Sequence, residues 1–158
     1  MNKQALIDGT VNELCGKADK WDIDHNVAII PEKIVEFIKD KGFLEMIIPK
    51  AYGGLEHSGM AQAEVLSRTS ICGGCIGNFI GVPNSLGPGE LLIKYGTEDQ
   101  KIYYLPRLAS GVEVPCFALT GPLAGSDATS LPDKGVVCKG KFNGKEILGI
   151  KLTFDKRY

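Results

Sequence analysis

The sequence lacks a charge excess of either sign. Its 158 residues carry 18 Lys and Arg against 19 Asp and Glu, so nothing in the charge balance draws the chain to nucleic acid or to an anionic lipid surface. It also lacks the composition of a disordered chain: hydrophobic residues make up 44% and charged residues 23%, ordinary values for a globular protein. Its 20 glycines and 8 prolines stay below the roughly 25–30% that marks low-complexity sequence. Internal repeats are absent. Met1 to Asp8 contains no apolar core of the length a secretory signal needs. The uncharged stretch from Thr69 to Gly89 invites a membrane reading, but it is repeatedly interrupted by glycine and by Pro83 and Pro88. Its apolar density is too low for a span of about 20 residues.

Cysteine is sparse and odd in number, at Cys15, Cys72, Cys75, Cys116 and Cys138. A secreted disulfide scaffold is shorter and denser in cysteine, so the pattern reads as a soluble protein of a reducing compartment. Cys72-Gly73-Gly74-Cys75 is a CxxC, which raises a thiol oxidoreductase or half a zinc site. Zinc needs two more ligands, and neither His25 nor His57 has a partner at metal-ligand spacing, so no metal site is expected. A redox CxxC belongs after a strand at a helix start. Here both cysteines fall on the apolar stripe of an expected helix, which reads as buried structural thiols.

The first two thirds of the chain read as helices. Pro31 opens one, with Ile34, Phe37 and Ile38 on its apolar face and Gly42 as its stop. Phe43 to Ile48 is a short apolar run closed by Pro49 and Gly53-Gly54. Ser58 caps the next helix, whose stripe runs from Val65 and Leu66 through Cys72, Cys75, Ile76 and Phe79. Gly73, Gly74, Gly77 and Gly81 lie mostly off that stripe. Each glycine costs about 1 kcal/mol relative to alanine, so they require a close approach or a break in the helix. Pro83 to Gly89 is a loop by composition, followed by a short helix, Glu90 to Tyr95. Thr97 and Gln100 form a capping box, and Pro106 is expected to break or kink the helix it starts.

After Gly111 the pattern turns to β. Val112 to Leu119, Val136 to Phe142 and Glu146 to Phe154 read as strands, with Asn143-Gly144 as a hairpin turn. The fold class is therefore α+β: an all-α domain over 1–111, then the beginning of an antiparallel β domain over 112–158. Three short strands are too few to close a barrel or sandwich, so the chain reads as truncated. Thr120 to Asp127, after the first strand, holds Gly121, Pro122, Gly125 and Ser126. Such a loop turns successive amides toward one point and forms an anion nest. Gly125 permits close approach, the Ser126 hydroxyl can donate to phosphate, and Asp127 is expected to turn back onto the loop.

Cys116 to Thr120 followed by Ala124 to Ala128 resembles the flavin-binding signature of acyl-CoA dehydrogenases. The similarity extends through Ile47 to Gly54, Tyr95-Gly96-Thr97 with Gln100, Tyr104-Leu105-Pro106 and Leu108 to Gly111. Pro83 to Glu90 and Leu152 to Tyr158 resemble the bacterial long-chain (FadE-type) branch. The resemblance implies an N-terminal helical domain, a middle β domain and a C-terminal bundle, with FAD between the last two. It implies that backbone groups of Phe117, Leu119 and Thr120 face the flavin ring and that Thr120 Oγ bonds near its N5 edge. Gly125 and Ser126 meet the diphosphate, Ser126 also touches the CoA part of the substrate, and Tyr158 flanks the ring. Gly121 and Leu123 depart from residues common in relatives, Glu or Ser at the first and Glu at the second.

The implied activity is oxidation of fatty acyl-CoA to trans-2-enoyl-CoA in fatty acid beta-oxidation. Its glutamate base is expected beyond residue 158, leaving Glu64 and Glu90 for salt bridges or caps. The implied partners are a fatty acyl-CoA, an electron-transfer flavoprotein and further copies of the full-length chain. The implied location is the cytoplasm, or the periphery of the inner membrane. A non-catalytic helical scaffold module is the competing reading.

Overall fold

The computed structural model describes residues 6–27, 29–85 and 87–157, so the expectations at Leu86 and Tyr158 lie outside the described residues. The chain divides into two compact units, Met1–Cys116 and Phe117–Tyr158.

The first unit is helical. A π-type turn, Leu6–Thr10, leads into α1, Val11–Lys17. A helical turn, Lys20–Asp22, begins at Asp19, whose carboxylate accepts from the Asp22 amide at 2.9 Å and satisfies one of the orphan donors of a helix start. α2, Glu32–Asp40, follows Pro31 and buries Ile34 and Ile38. α3, Gly59–Cys72, is capped by Ser58, whose hydroxyl accepts from the Ala61 amide at 3.4 Å. α4 is Gly74–Gly81, α5 Pro88–Tyr95 and α6 Glu98–Ala109. α5 begins two residues earlier than the sequence pattern suggests, because Pro88 suits a first turn, where its missing N–H is not needed. α6 carries both arms of the capping box: Gln100 N donates to Thr97 Oγ1 at 3.3 Å and Thr97 N to Gln100 Oε1 at 2.9 Å.

Between α2 and α3 the run Phe43 to Ile48 forms neither strand nor helix, yet Phe43, Leu44, Met46 and Ile48 are at most 1% exposed. A buried irregular segment must find partners for its backbone groups elsewhere. The Phe43 amide donates to Ile38 O at 3.1 Å, while Leu55, Glu56 and His57 donate to Glu45 O, Ile48 O and Met46 O at 2.9, 3.0 and 2.7 Å. Asn84 supplies three more. Its Nδ2 donates to Phe43 O at 2.6 Å and to Ile80 O at 2.9 Å, and its Oδ1 accepts from Ile47 N at 3.1 Å. Asn84 is itself buried, so one side-chain amide ties the end of α4 to this segment. Phe43, Leu44 and Met46 join Val11, Leu14, Ile34, Ile38, Val65, Ile76 and Ile80 in the main core. Ile48 packs instead with Leu105, Leu108 and Ala109 of α6.

One expectation for this unit, a helix break or close approach at the glycines, is borne out, and two are corrected. The stripe through Val65 and Phe79 is two helices, parted at Gly73; close approach also holds, since a Cβ at Gly77 would lie 2.3 Å from Ser70 Oγ and 2.9 Å from Ser70 Cα. Of the break or kink expected at Pro106, the break does not occur, since α6 runs on to Ala109. The proline removes one hydrogen bond, and burial of Leu105, Leu108 and Ala109 keeps the last turn in place. Cys72 is not a free thiol beside Cys75: it forms a disulfide with Cys15 of α1, the two Cα atoms 5.1 Å apart, and Cys75 stays free. Leu14 enters the same core as Val65, and that packing brings its neighbour Cys15 to the end of α3. Among the described residues no helix is long and apolar enough to cross a membrane.

The second unit contains β1, Lys134–Phe142, and β2, Lys145–Thr153, paired antiparallel from Lys134↔Thr153 to Phe142↔Lys145. Asn143 and Gly144 make the connection with φ of +49° and +77°, the pair of left-handed conformations a type I′ turn requires. Val136, Cys138 and Phe142 share one face; Val137, Leu148, Ile150 and Leu152 share the other. Both faces are exposed. The strand expected over Val112 to Leu119 does not form. Pro115 offers no N–H to a ladder, Ala118 takes a left-handed φ of +47°, and the sheet among the described residues has two strands only.

Asn84→Ala leaves three backbone groups without their partner, so urea unfolding should show a loss of about 3 kcal/mol with an unchanged slope. Asn84→Asp should be worse, because a carboxylate would face two carbonyl oxygens. Gly77→Ala should cost about 1–3 kcal/mol through overlap with Ser70, whereas Gly74→Ala, with nothing within 4 Å of its Cβ position, should gain up to about 1 kcal/mol.

Candidate functional site

The loop from Thr120 to Asp127 lies wholly in the second unit. Gly121 and Ala124 close a tight turn, Gly121 N donating to Ala124 O at 3.0 Å and Ala124 N to Gly121 O at 3.4 Å. Pro122 presets the backbone of that turn, and Leu123 projects from its tip, 81% exposed. Ala124 is buried and anchors the return limb, while Gly125 and Ser126 come out to the surface.

Asp127 turns back on its own loop, as expected. One carboxylate oxygen accepts from Thr129 N at 3.2 Å and Thr129 Oγ1 at 2.6 Å, and the other accepts from Ser130 Oγ. The Ser130 hydroxyl first, and Thr129 after it, hold the Asp127 carboxyl below the usual aspartate range.

The segment ahead of the turn is fixed by residues 155–157. Arg157 N donates to Thr120 O at 3.0 Å. Lys156 Nζ donates to Leu119 O at 3.2 Å and also pairs with Asp133, both side chains being largely buried. A Cβ at Gly121 would stand 3.0 Å from Asp155 O. Glycine at this position therefore accompanies a close backbone approach.

These bonds define what the loop has left to offer. The carbonyls of Leu119 and Thr120 are engaged, whereas the amides of Phe117, Leu119, Thr120, Gly125 and Ser126 donate to no group among the described residues. Phe117 and Leu119 are each 42% exposed, and the Ser126 hydroxyl is exposed as well. A Cβ at Gly125 would meet nothing within 4 Å. Paired amides and a hydroxyl at 125–126, with the neighbouring carboxylate turned to Thr129 and Ser130, suit the oxygens of a phosphate. The donors at 117–120 suit the heteroatom edge of a planar ring. The donor set thus fits a dinucleotide such as FAD. Tyr158, expected to flank the ring, lies outside the described residues.

The other candidate carboxylates belong to the helical unit. Glu64 pairs with Arg68 at 2.8 Å and Glu90 with Lys94 at 2.6 Å. No group of metal-ligating side chains occurs among the described residues. Lys156 and Asp133 were not singled out by sequence reasoning; their one local signal is a charge of each sign at the two ends of the hairpin.

The helical unit, the glycine-bearing loop and the antiparallel hairpin gain a family through comparison with known proteins. The sequence model "Acyl-CoA dehydrogenase, N-terminal domain" matches residues 3–112. The chain belongs to the acyl-CoA dehydrogenase family, a group of FAD-dependent oxidoreductases. It is 32% identical over 119 residues to an acyl-CoA dehydrogenase of Bacillus subtilis, covering 74% of this chain and 31% of the relative. It is 38% identical over 102 residues to the 3-(aryl)acrylate reductase of Clostridium sporogenes, covering 64% and 26%. It is 31% identical over 122 residues to the mitochondrial very long-chain specific acyl-CoA dehydrogenase of Bos taurus, covering 75% and 18%. The chain thus spans less than a third of the length of these relatives.

Among solved structures, a chain from the electron transferring flavoprotein structure of Acidaminococcus fermentans matches with a TM-score of 0.73 at 25% identity, over 94% of this chain and 38% of that one. Butyryl-CoA dehydrogenase of Megasphaera elsdenii matches at 0.69 and 19% identity, over 92% and 38%. An acyl-CoA dehydrogenase of Bacillus anthracis, complexed with FAD, matches at 0.67 and 24%, over 84% and 23%. The helical start and the two-stranded antiparallel sheet match the family fold.

Asp127 supplies a pH prediction. Its lowered carboxyl orders residues 127–130 fully above the unfolded aspartate value of about 4, and that order is lost as pH falls through the lower folded value. An NMR titration of the Thr129 amide should therefore show its inflection below pH 4, and Asp127→Asn should remove it.

Proposed function

We propose that this chain is the N-terminal part of a long-chain, FadE-type acyl-CoA dehydrogenase that oxidises fatty acyl-CoA to trans-2-enoyl-CoA in beta-oxidation. Residues 1–111 act as its helical domain and 112–158 open its middle β domain. One observation carries the reading: the amides at Gly125 and Ser126 stand unengaged among the described residues, on a loop held from behind by Lys156 and Arg157.

FAD, when bound, supplies the hydride acceptor. The chain's own residues bind and orient. Gly125 and Ser126 donate to the diphosphate, and Ser126 reaches the CoA part of the substrate. Phe117, Leu119 and Thr120 set the plane of the ring through their amides, with Thr120 Oγ donating at its N5 edge. Tyr158, outside the described residues, would serve to cover the ring and keep water out. The α-proton goes to a glutamate contributed from beyond residue 158. An electron-transfer flavoprotein takes the electrons, the full-length chain forms homo-oligomers, and the protein works in the cytoplasm or at the inner membrane periphery. No nucleic acid is involved. The likeness to a 3-(aryl)acrylate reductase favours a second reading, in which the acyl group carries an aryl rather than an alkyl substituent.

The isolated 158-residue chain should purify colourless, since much of the cofactor cleft lies elsewhere in the polypeptide. With the downstream coding sequence restored, the protein should be yellow and bleach on addition of a long-chain acyl-CoA, and Ser126→Ala should weaken FAD retention about tenfold or more. A colourless full-length protein, or full retention by the variant, overturns the assignment. Bleaching by an arylpropionyl-CoA alone selects the second reading.

A further inference from the structure

The flavin loop makes no use of the cysteines of the helical unit. Cys15 lies in α1 and Cys72 is the last residue of α3; the two are 57 residues apart in sequence, with Cα atoms 5.1 Å apart. That spacing falls inside the roughly 4.4–6.8 Å window of disulfides. Both are half-buried, which leaves them within reach of a small thiol. The remaining three cysteines are free, with Cys116 and Cys138 exposed.

A secreted scaffold pairs its cysteines throughout. One pair beside three free thiols is not such a scaffold, and in a reducing compartment a lone disulfide of this kind is transient or redox-sensing. The position also matters. Cys72 is one residue ahead of the helix break at Gly73, and Cys15 follows Leu14, whose side chain is fully buried. Near the pair, Asp8 reaches Arg68 of α3 at 3.4 Å. The bond therefore closes the contact between the first helix and the far end of α3.

We propose that Cys15 and Cys72 are a reversible thiol–disulfide switch that staples α1 to the end of α3 when oxidised and releases it when reduced. The oxidant is a low-molecular-weight disulfide of the glutathione class. One cysteine thiolate attacks a sulfur of that disulfide; the protein–glutathione S–S bond forms, the S–S bond of the oxidant breaks, and one glutathione leaves. The second cysteine thiolate attacks the protein sulfur of the mixed disulfide and expels the second glutathione. Two electrons pass from the cysteine pair to the oxidant, and the two cysteine protons end on the two glutathiones. Excess reduced glutathione runs the steps backward. Cys75, beyond Gly73 and Gly74, takes no part.

The 158-residue chain is equilibrated with glutathione disulfide or with dithiothreitol, trapped with N-ethylmaleimide, and mapped by peptide fragmentation alongside thermal unfolding. Oxidised protein should show Cys15 joined to Cys72 with three cysteines alkylated, and reduced protein should show five alkylated and a Tm lower by about 5–10 °C. Cys15→Ser should keep the reduced Tm under both conditions, and Cys75→Ser should keep the full shift. A Cys72–Cys75 link, glutathionylation without a cross-link, or a Tm indifferent to reduction overturns the proposal.

Discussion

The helical unit depends on the side-chain amide of Asn84. Phe43 to Ile48 is the most deeply buried irregular segment of the described chain, and hydrophobic burial alone says nothing about where its peptide groups go. Helices satisfy their own backbone, and a coil does not. Asn84 has donors for the Phe43 and Ile80 carbonyls and an acceptor for the Ile47 amide, so it serves three peptide groups from one position. Leucine at 84 would keep the apolar contacts but strand those groups in a low-dielectric core, where an unpaired group costs more than a made bond gains. The side chain also sets the direction in which the chain leaves α4, because it is fastened to Ile80 O behind and to Phe43 O and Ile47 N alongside.

Lys156 plays a comparable part in the second unit by a different interaction. Its ammonium group satisfies the Leu119 carbonyl and pairs with Asp133, which precedes β1. A single cation thus joins the segment before the Thr120–Asp127 loop, the entry to the hairpin and its exit. An ion pair of this kind is only modestly stabilising overall, because desolvation opposes the attraction. Its value is in register: it fixes which residues of 117–121 lie against 155–157. The loop's free amides owe their placement to that choice as much as to their own turn.

Features decided within a few residues were legible in the sequence. Ser58, the Thr97–Gln100 box, Asn143-Gly144 and the inward turn of Asp127 each involve partners no more than three or four positions away, and each formed as read. The family and its helical start were legible too, because several short blocks recur in order. What escaped was decided by distant partners. The run Val112 to Leu119 has strand-like residues but no neighbour to pair with among the described residues. Pro106 carries a local signal to break or kink, and the burial of Leu105 and Leu108 keeps the helix unbroken through it. Asn84 sits in a stretch rich in turn residues, where asparagine looks like punctuation rather than the centre of a network. The pairing of Cys15 with Cys72 crosses 57 residues, and the nearer Cys75 is the partner that spacing suggests. At the Thr120–Asp127 loop, glycine and serine could be marked from sequence, but the groups behind them, Lys156 and Asp133, could not.

The hairpin carries apolar side chains on both sides, yet its strands are studded with lysine: Lys134, Lys139 and Lys141 in β1, Lys145 and Lys151 in β2. A ribbon of valine, isoleucine and leucine with free rims is the raw material of amyloid, where copies stack in register. Stacking would set each ammonium group against its own counterpart a few ångströms above and below, and the repulsion grows with every layer added. Lysine in such strands is a recognised gatekeeper, and five of them on so short a ribbon work against stacking of this kind.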